Sequence, residues 1–199
     1  MRMLRTGALL LCALAAAFGG SPAPASADTI WSADAARSNV ALSVSNLLVM
    51  KITGAIPIAS ATIVTADGDT VPRSVAATLD AAALTTHDTQ RDAQLRGDHF
   101  FDVARFPTIT FASERVTATG PSAFAMEGEL TMHGVTHAIA FDGHVADITR
   151  DASGRRHARY EVTGRFRRSD YGMSYARGMV GNDVRLDVVV EAVDAPRAR

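Results

Sequence analysis

The chain has 199 residues, with 20 basic and 21 acidic side chains and a formal charge of −1, a length that suits one domain with a sizeable core. The near-balance of charge argues against a nucleic-acid binder or a polybasic membrane-surface protein. The only cysteine, Cys12, lies among the first 27 residues, and a chain without them has no disulfide, cysteine zinc site or cysteine nucleophile.

Residues 1–27 are typical of a secretory signal peptide. Arg2 and Arg5 give a positive start, an apolar run fills residues 8–18, and the segment ends in the small-residue sequence Ala-Ser-Ala. The apolar run is far shorter than the ~20 residues that a membrane-spanning helix needs. We therefore predict cleavage near Ala27 and a soluble, exported chain with no integral membrane segment. That chain keeps 18 basic and 21 acidic residues, a formal charge of −3.

Apolar and polar residues then alternate with a period of two, which is typical of strands that bury one face. The first clear run places Leu42 and Val44 on the same face. Similar runs occupy residues 52–56, 61–66 and 75–79, and an Asp-Gly-Asp turn signal separates the last two. These runs predict four consecutive strands.

The alternation stops over residues 89–111 and resumes at the end of that segment. Thr89 and Asp92 fit a short capping box, and Gly97 fits a helix stop, so the segment predicts a helix of two turns. Such a short helix must dock on other structure, and we predict that it closes one end of a β structure. Three phenylalanines that follow are expected to seal that end or to contact a ligand: Phe100, Phe101 and Phe106.

Strand-like alternation returns most clearly in residues 124–132, 135–145, 160–166 and 184–190. The chain thus has roughly eight or nine antiparallel strands with hairpin-length connections and no parallel βαβ unit. Strands this numerous, each apolar on one face, close into a barrel or stack as a sandwich. Because no repeat or linker divides them, residues 28–199 are predicted to form one all-β domain.

Motifs that carry chemistry are weak in this chain. His133 and His137 are four residues apart but flank a turn, and no third ligand has the spacing of a metal site. There is no G-x-S-x-G elbow and no phosphate-binding glycine loop. The sequence therefore predicts no catalytic residue, metal or cofactor, and a hydrolase or redox enzyme is the least favoured alternative.

A barrel of about eight strands holds either a filled core or one apolar ligand. Several inward positions are small or flexible, such as Gly128, Gly164 and Met126; small residues leave room, and methionine adapts to irregular apolar shapes. A packed core explains the same pattern, so both interpretations stay open. At the mouth of a cavity an arginine suits an anionic head group, the alternative being an outer face with local ion pairs. The rim candidates are Arg96, Arg168 and Asp170.

Five segments, in the same order along the chain, resemble the signature of the YceI-like family. They are residues 92–103 (DAQLRGDHFFDV), 106–111 (FPTITF), 128–136 (GELTMHGVT), 168–173 (RSDYGM) and 180–184 (VGNDV). The resemblance covers essentially all of residues 28–199. Two places depart from the pattern: Ser45-Asn46, where many members have a histidine, and Ala138, where a proline often stands.

The resemblance implies an extended lipocalin-like antiparallel β-barrel, with a helix over one end, in a periplasmic protein without catalytic residues. It also implies a long-chain apolar lipid inside the barrel, either a polyisoprenoid, an isoprenoid quinone or a fatty-acyl amide, which the protein carries or sequesters. The main alternative is a non-catalytic interaction barrel with a filled core, and a homodimer is left open. The residues expected to line the cavity are Leu42, Val44, Ile109, Phe111, Met126, Leu130, Phe141, Phe166 and Met173.

Overall fold

Ten strands and one α-helix are the main elements of the structure, a computed structural model that describes residues 28–46 and 50–195. The predicted signal peptide and residues 196–199 lie outside this part of the chain. Two short 3₁₀ helices occupy Ala81–Ala83 and Arg168–Tyr171. The main elements are β1 (Asp28–Ala33), β2 (Asn39–Asn46), β3 (Met50–Ile56), β4 (Ile58–Ala66), β5 (Pro72–Asp80), α1 (Thr89–Arg96), β6 (Thr108–Ala118), β7 (Ala123–Met132), β8 (Val135–Arg150), β9 (Arg156–Arg167) and β10 (Val180–Asp194).

Eight of the strands close into an antiparallel barrel in the order β1-β4-β5-β6-β7-β8-β9-β10, with β10 returning to β1. The other two strands lengthen the barrel on one side. β10 pairs with β1 through residues 192–194 and with β2 through residues 180–189, and β3 follows β2. The prediction of an antiparallel barrel of about eight strands is therefore confirmed, with β2 and β3 as an addition.

The sheet separates between β3 and β5 at one end of the barrel. In the described part of the chain β3 pairs with β2 and with no other strand, while Pro57 leads directly into β4, which pairs with β1 and β5. A single bridge covers the outer edge of β3: Ala55 N donates to Thr85 O at 2.8 Å, and Thr85 N donates to Ala55 O at 3.0 Å. Residues of α1 lie over the opening, so the predicted helix that closes one end is confirmed.

Asp88, rather than Thr89, caps α1. An Asp88 carboxylate oxygen accepts a hydrogen bond from the backbone N–H three residues later, at 3.0 Å. The predicted capping box is wrong, because the side chain of Asp92 turns toward Thr86 and binds there instead. The helix ends before Gly97, as predicted, but Gly97 has a φ of −70° and is not in the left-handed conformation.

The alternating pattern gives the correct inward face of the barrel. In β7 the side chains of Phe124, Met126, Leu130 and Met132 are buried with Gly128, whereas Glu127 and Glu129 are exposed on the other face. The inward residues of β9 and β10 follow the same alternation. The buried side chains form one apolar core that runs the length of the barrel.

The inward glycines make room for phenylalanine rings. Gly164 lies directly opposite Phe141, and a Cβ atom on Gly164 would come within 2.4 Å of the Phe141 ring. A Cβ atom on Gly128 would lie 2.2 Å from the Ala112 carbonyl oxygen and 2.9 Å from the Phe111 ring. The two rings meet edge to face, 5.2 Å between centroids, so they fill the space that the small residues were expected to leave open.

The barrel end opposite α1 is closed by large side chains with polar partners. Trp31 is fully buried, and its indole Nε1 donates to Thr65 Oγ1 at 3.1 Å. The Arg156 guanidinium lies over the Trp31 ring at 4.8 Å and binds the Asp194 carboxylate at 2.9 Å. The hydroxyl of buried Tyr160 donates to a backbone carbonyl beyond β4 at 3.2 Å. In residues 28–46 and 50–195, this leaves the α1 end as the open route into the core.

We expect Gly128→Ala to lower the free energy of unfolding by about 2–3 kcal/mol, because the new methyl group overlaps backbone atoms of β6. Gly120→Ala is the control, since its Cβ atom would approach nothing closer than 3.4 Å, and we expect a change below about 0.5 kcal/mol. Urea unfolding measures both. Equal destabilisation by the two variants would show that the close approach at Gly128 does not limit the packing.

Candidate functional site

A cavity of about 450 Å³, here called the mouth, opens beneath α1, and its volume lies in the range of small-molecule sites. Its apolar wall comes from the strands on the β10-β2-β3 side of the separated sheet, chiefly Leu42 and Val44 from β2, Ile52 from β3 and Val184 from β10. Its polar wall comes from α1 and the residues just before the helix. The mouth is thus apolar on the barrel side and polar on the helix side.

A narrower space of about 100 Å³, here called the interior, continues from the mouth into the barrel. Every side chain that lines it is apolar. Leu42, Phe101 and Phe166 line both spaces, and these three residues are called the neck. A molecule that fills both spaces therefore passes the neck and ends in surroundings that offer no hydrogen bond.

The structure places all nine of the predicted apolar residues on this continuous wall. Leu42 and Phe166 belong to the neck, while Val44 and Met173 line the mouth only. Contact with a ligand stays a prediction for each of them. The remaining five line the interior: Ile109, Phe111, Met126, Leu130 and Phe141.

The aromatic segment after α1 divides between the cavity and the surface. Phe101 is buried at the neck, and Phe100 lines the mouth. Phe106 lies away from the cavity, where its ring packs over Gly134 and meets the His133 ring edge to face at 5.3 Å. Two of the three phenylalanines are therefore placed to meet a ligand.

Asp92 joins α1 to the loop that forms the bridge with β3. Its side chain is buried, with 5% of its surface exposed. Its Oδ1 accepts from Thr86 N at 2.7 Å and from Thr86 Oγ1 at 2.6 Å, and its Oδ2 accepts from Thr85 Oγ1 at 3.0 Å. The Thr86 hydroxyl, with the other donors, lowers the pKa of Asp92 below its ordinary 3.8, against the effect of burial. Thr85, Thr86 and Asp92 are called the latch.

The approach of the latch to β3 depends on Gly54. A Cβ atom on Gly54 would lie 2.9 Å from the Thr86 methyl group and 3.1 Å from the Thr85 carbonyl oxygen. Any larger residue at this position would push the latch, and α1 with it, away from β3. Gly54 therefore determines how closely α1 approaches β3 above the mouth.

The polar side chains of α1 at the mouth differ in the number of hydrogen bonds that they make to the protein. Arg91 donates from Nε to Thr86 Oγ1 at 2.8 Å and from Nη2 to Thr86 O at 3.2 Å, and its Nη1 lies 3.7 Å from the Asp88 carboxylate. Gln90 and Gln94 line the mouth and make no side-chain hydrogen bond to any residue in the described part of the chain. The amide groups that remain available at the mouth are neutral and can both donate and accept.

Arg168 lies on the wall of the mouth but is committed to the protein. It is 5% exposed, and burial lowers the pKa of its guanidinium, with a further contribution from nearby Arg177. The guanidinium holds the loop before β10 in place rather than offering a fork to an anion. It donates to four backbone carbonyls, those of Met173 (2.7 Å), Tyr175 (2.8 Å), Gly181 (2.9 Å) and Val180 (3.0 Å).

The other two predicted rim residues lie away from the mouth. Arg96 donates to the carbonyl oxygens of Ala82 at 2.8 Å and Leu84 at 2.5 Å, which ties the end of α1 to the preceding 3₁₀ helix. Asp170 is exposed and faces a separate groove on the outer surface. A head-group role for Arg96, Arg168 and Asp170 stays a prediction, and the contacts of both arginines favour a structural role.

Sequence reasoning did not select Thr86, Gln90, Arg91 or Gln94 as site residues. The last three share a face of α1, as their spacing on a helix requires, and Gln90 and Gln94 are the only glutamines of the chain. Leu95 is the one large apolar residue of α1, so the helix has no apolar stripe that marks which face points inward.

The described residues also bear on metal sites and membrane spans. Residues 28–46 and 50–195 contain no group of three or more His, Cys, Asp or Glu side chains that could hold a metal ion. His133 Nδ1 lies 2.9 Å from the Tyr171 carbonyl oxygen, and His137 packs edge to face on the Tyr171 ring at 5.3 Å.

Within residues 28–46 and 50–195, no helix has the length and apolar character needed to cross a bilayer.

Comparison with protein families and curated proteins gives consistent matches. A family model described as a YceI-like domain matches residues 31–192. A UPF0312 protein of Shewanella sp. strain W3-18-1 is 31% identical over 120 residues, which are 60% of this chain and 63% of that protein; the matched region thus spans just under two thirds of the relative. A UPF0312 protein of Shewanella sp. strain ANA-3 is 27% identical over 184 residues, 90% of this chain and 96% of that protein.

Solved structures share the fold at low sequence identity. BcnA of Burkholderia cenocepacia has a TM-score of 0.67 at 18% identity, with 82% of this chain and 99% of that chain covered. The YCEI protein of Campylobacter jejuni has a TM-score of 0.66 at 22% identity, with coverage of 74% and 88%. A polyisoprenoid-binding domain from Saccharophagus degradans has a TM-score of 0.61 at 19% identity, with coverage of 83% and 98%.

We expect Asp92→Asn to be less stable than the wild type at neutral pH, because an amide cannot accept all the hydrogen bonds that the latch donates. The pKa of Asp92 is lowered in the folded state, so its stabilising effect is present above pH ~4, the unfolded value, and is lost as pH falls through the folded value. Thermal unfolding from pH 7 to pH 2 measures the difference, which should shrink on acidification. Asp98→Asn, at an exposed carboxylate, is the control, and a pH-independent difference for Asp92→Asn would contradict the prediction.

Proposed function

We propose that this chain, which belongs to the YceI-like family, binds one long-chain apolar lipid, with its tail in the interior and its head group at the mouth. The observation that carries the proposal is the continuity of a polar-edged mouth, an aromatic neck and a wholly apolar interior. The shared fold of the polyisoprenoid-binding domain from Saccharophagus degradans supports a lipid of this class.

Transfer of an apolar tail from water into the interior supplies the affinity. Each buried methylene contributes about 0.8 kcal/mol, and the cost of ordering the chain offsets part of this gain. The interior is narrow because Phe111 and Phe141 occupy it, so a tail can enter only if these rings and Phe166 turn aside. Met126 and Met132, which also lie in the core, adapt their shape readily.

The head group that fits the mouth is neutral. Arg168 and Arg91 already donate to protein oxygens, and the Asp88 carboxylate on the same wall repels an anion. Gln90 and Gln94 offer free amide donors and acceptors, which match a quinone, an amide or an alcohol. An isoprenoid quinone or a fatty-acyl amide therefore fits better than an isoprenyl phosphate.

The role that follows is a carrier or a sequestering protein rather than an enzyme. The groups at the mouth have no nucleophile–base pair among them, and what they offer is recognition of shape and polarity. The signal-like sequence of residues 1–27 supports a site of action in the periplasm. In that aqueous compartment a long apolar lipid needs a protein that shields its tail.

We expect organic extraction of the purified protein, followed by mass spectrometry, to release one such lipid. Leu42→Trp should reduce the co-purified amount about tenfold, since overpacking of the neck by 1–3 kcal/mol opposes binding. Val189→Trp is the control, because Val189 lies outside both spaces on the alternate face of β10. A wild-type barrel that is free of lipid would favour the alternative of a filled interaction barrel.

We expect an isoprenoid quinone to bind about tenfold more tightly than an isoprenyl phosphate of equal tail length, because the two arginines that line the mouth, Arg91 and Arg168, already donate to protein oxygens. The double variant Gln90→Leu, Gln94→Leu should weaken quinone binding about three- to tenfold through the loss of hydrogen bonds. Displacement titration measures both, with a hydrocarbon of the same length as the control ligand. Tighter binding of the phosphate would refute the neutral-head assignment.

A further inference from the structure

We propose that the rim of the mouth docks on the surface of an anionic lipid bilayer, an inference that rests on the proposed lipid-binding function. The rim is defined as Met50, Tyr175 and Met179 together with Lys51 and Arg177. It would bring the opening of the cavity against the bilayer, so that a lipid passes between membrane and barrel without crossing water.

Three large apolar side chains are exposed at the rim: Met50 by 63%, Met179 by 56% and Tyr175 by 53%. The strand register places two of them together, because Met50 pairs with Asn46, which pairs with Val180, the neighbour of Met179. Tyr175 stacks on the His99 ring with 4.5 Å between centroids, and it meets Phe100 edge to face at 5.6 Å. Since Phe100 and Val180 both line the mouth, the exposed side chains stand around its opening.

The rim also carries cations that no protein group neutralises directly. Lys51 and Arg177 are exposed, and neither forms a side-chain hydrogen bond or ion pair with any residue of the described ranges. The charge of Lys51 helps to lower the pKa of Asp187, after the larger effect of Arg185, whose Nη2 lies 2.8 Å from the Asp187 carboxylate. Arg177 lies close enough to Arg168 to lower its pKa. An acid, Asp98, is exposed on the same side but lies 3.7 Å from His99.

This combination fits a bilayer surface better than a protein partner. Exposed methionines can enter the acyl boundary, and a tyrosine ring is suited to the head-group level. Lys51 and Arg177 are attracted to anionic lipids. The chain as a whole is not basic, so the attraction is local, and docking should be weak and reversible. The mouth itself supplies the reason for contact, since its ligand resides in membranes.

The opposite end of the barrel supplies a matched control. Ile148 is 40% exposed on β8 and pairs with Ala158, which pairs with Ala192 near the end of β10. Twelve residues of β10 separate that level from Val180, roughly 40 Å at the rise of a strand. Arginines near Ile148 are bound within the protein: Arg150 Nη1 donates to Gly154 O at 3.2 Å, and Arg155 Nε lies 3.6 Å from the Asp151 carboxylate.

The experiment is flotation of the full mature chain with phosphatidylcholine vesicles, with and without phosphatidylglycerol. We expect wild-type protein to float with the phosphatidylglycerol vesicles, and Met50→Asp, Met179→Asp to reduce the bound fraction roughly fivefold or more. Lys51→Glu, Arg177→Glu should abolish the preference for phosphatidylglycerol. Ile148→Asp should bind like the wild type. Circular dichroism and thermal unfolding show that each exposed-site variant retains the fold.

Several results would overturn the docking proposal: no flotation of the wild type, equal flotation of the rim and Ile148→Asp variants, or concentration-dependent association that the rim variants remove. The last result would assign the rim to a second copy of the chain. Lipid content after extraction keeps the two proposals apart. Flotation without any co-purified lipid would support docking and refute the lipid-binding function, whereas co-purified lipid without flotation would do the reverse.

Discussion

The unpaired edge of β3 is the constraint on which the rest of the structure depends. A barrel that closes fully has no free strand edge, but here β3 continues past the point where β1 and β4 close the barrel. An exposed edge invites non-native pairing unless something covers it. The Ala55–Thr85 bridge covers it with a short piece of backbone, and Asp92 holds that piece beneath α1. The same separation of the sheet forms the mouth.

The mouth therefore comes from the separation of the sheet and not from small residues. Gly128 and Gly164 are inward, but the rings of Phe111 and Phe141 occupy the volume that they free. This packing narrows the interior to about 100 Å³. The proposed lipid tail would then be accommodated by rotation of side chains rather than by a rigid cavity. Phe166 is one of these side chains, because it lies at the neck between the mouth and the interior.

Much of the fold could be predicted because its signal is local. A period of two in residues 124–132 identifies both the strand and its buried face, and the interruption at residues 89–111 identifies the helix. The site was predicted less completely, since its polar contacts join residues 5 to 14 positions apart, which the periodicity of a strand or a helix does not relate. Nothing near Arg168 in sequence shows that Val180 and Gly181 accept its hydrogen bonds, and nothing near Arg96 shows that Leu84 does. Both arginines therefore looked available, while the two glutamines of α1 carried no distinguishing pattern.

The two ends of the barrel are stabilised by different kinds of contact, and this difference determines which end can open. At the closed end, Trp31 and Tyr160 are buried beneath the Arg156–Asp194 ion pair, and apolar packing and polar bonds support each other. At the open end, α1 contributes little apolar surface and is held mainly by the latch and by Arg91 and Arg96. Regions with few buried apolar contacts open locally at a lower free energy than the core. The helix can therefore open while the eight-stranded barrel stays closed, and exchange of the proposed ligand would need no unfolding of the strands that line the interior.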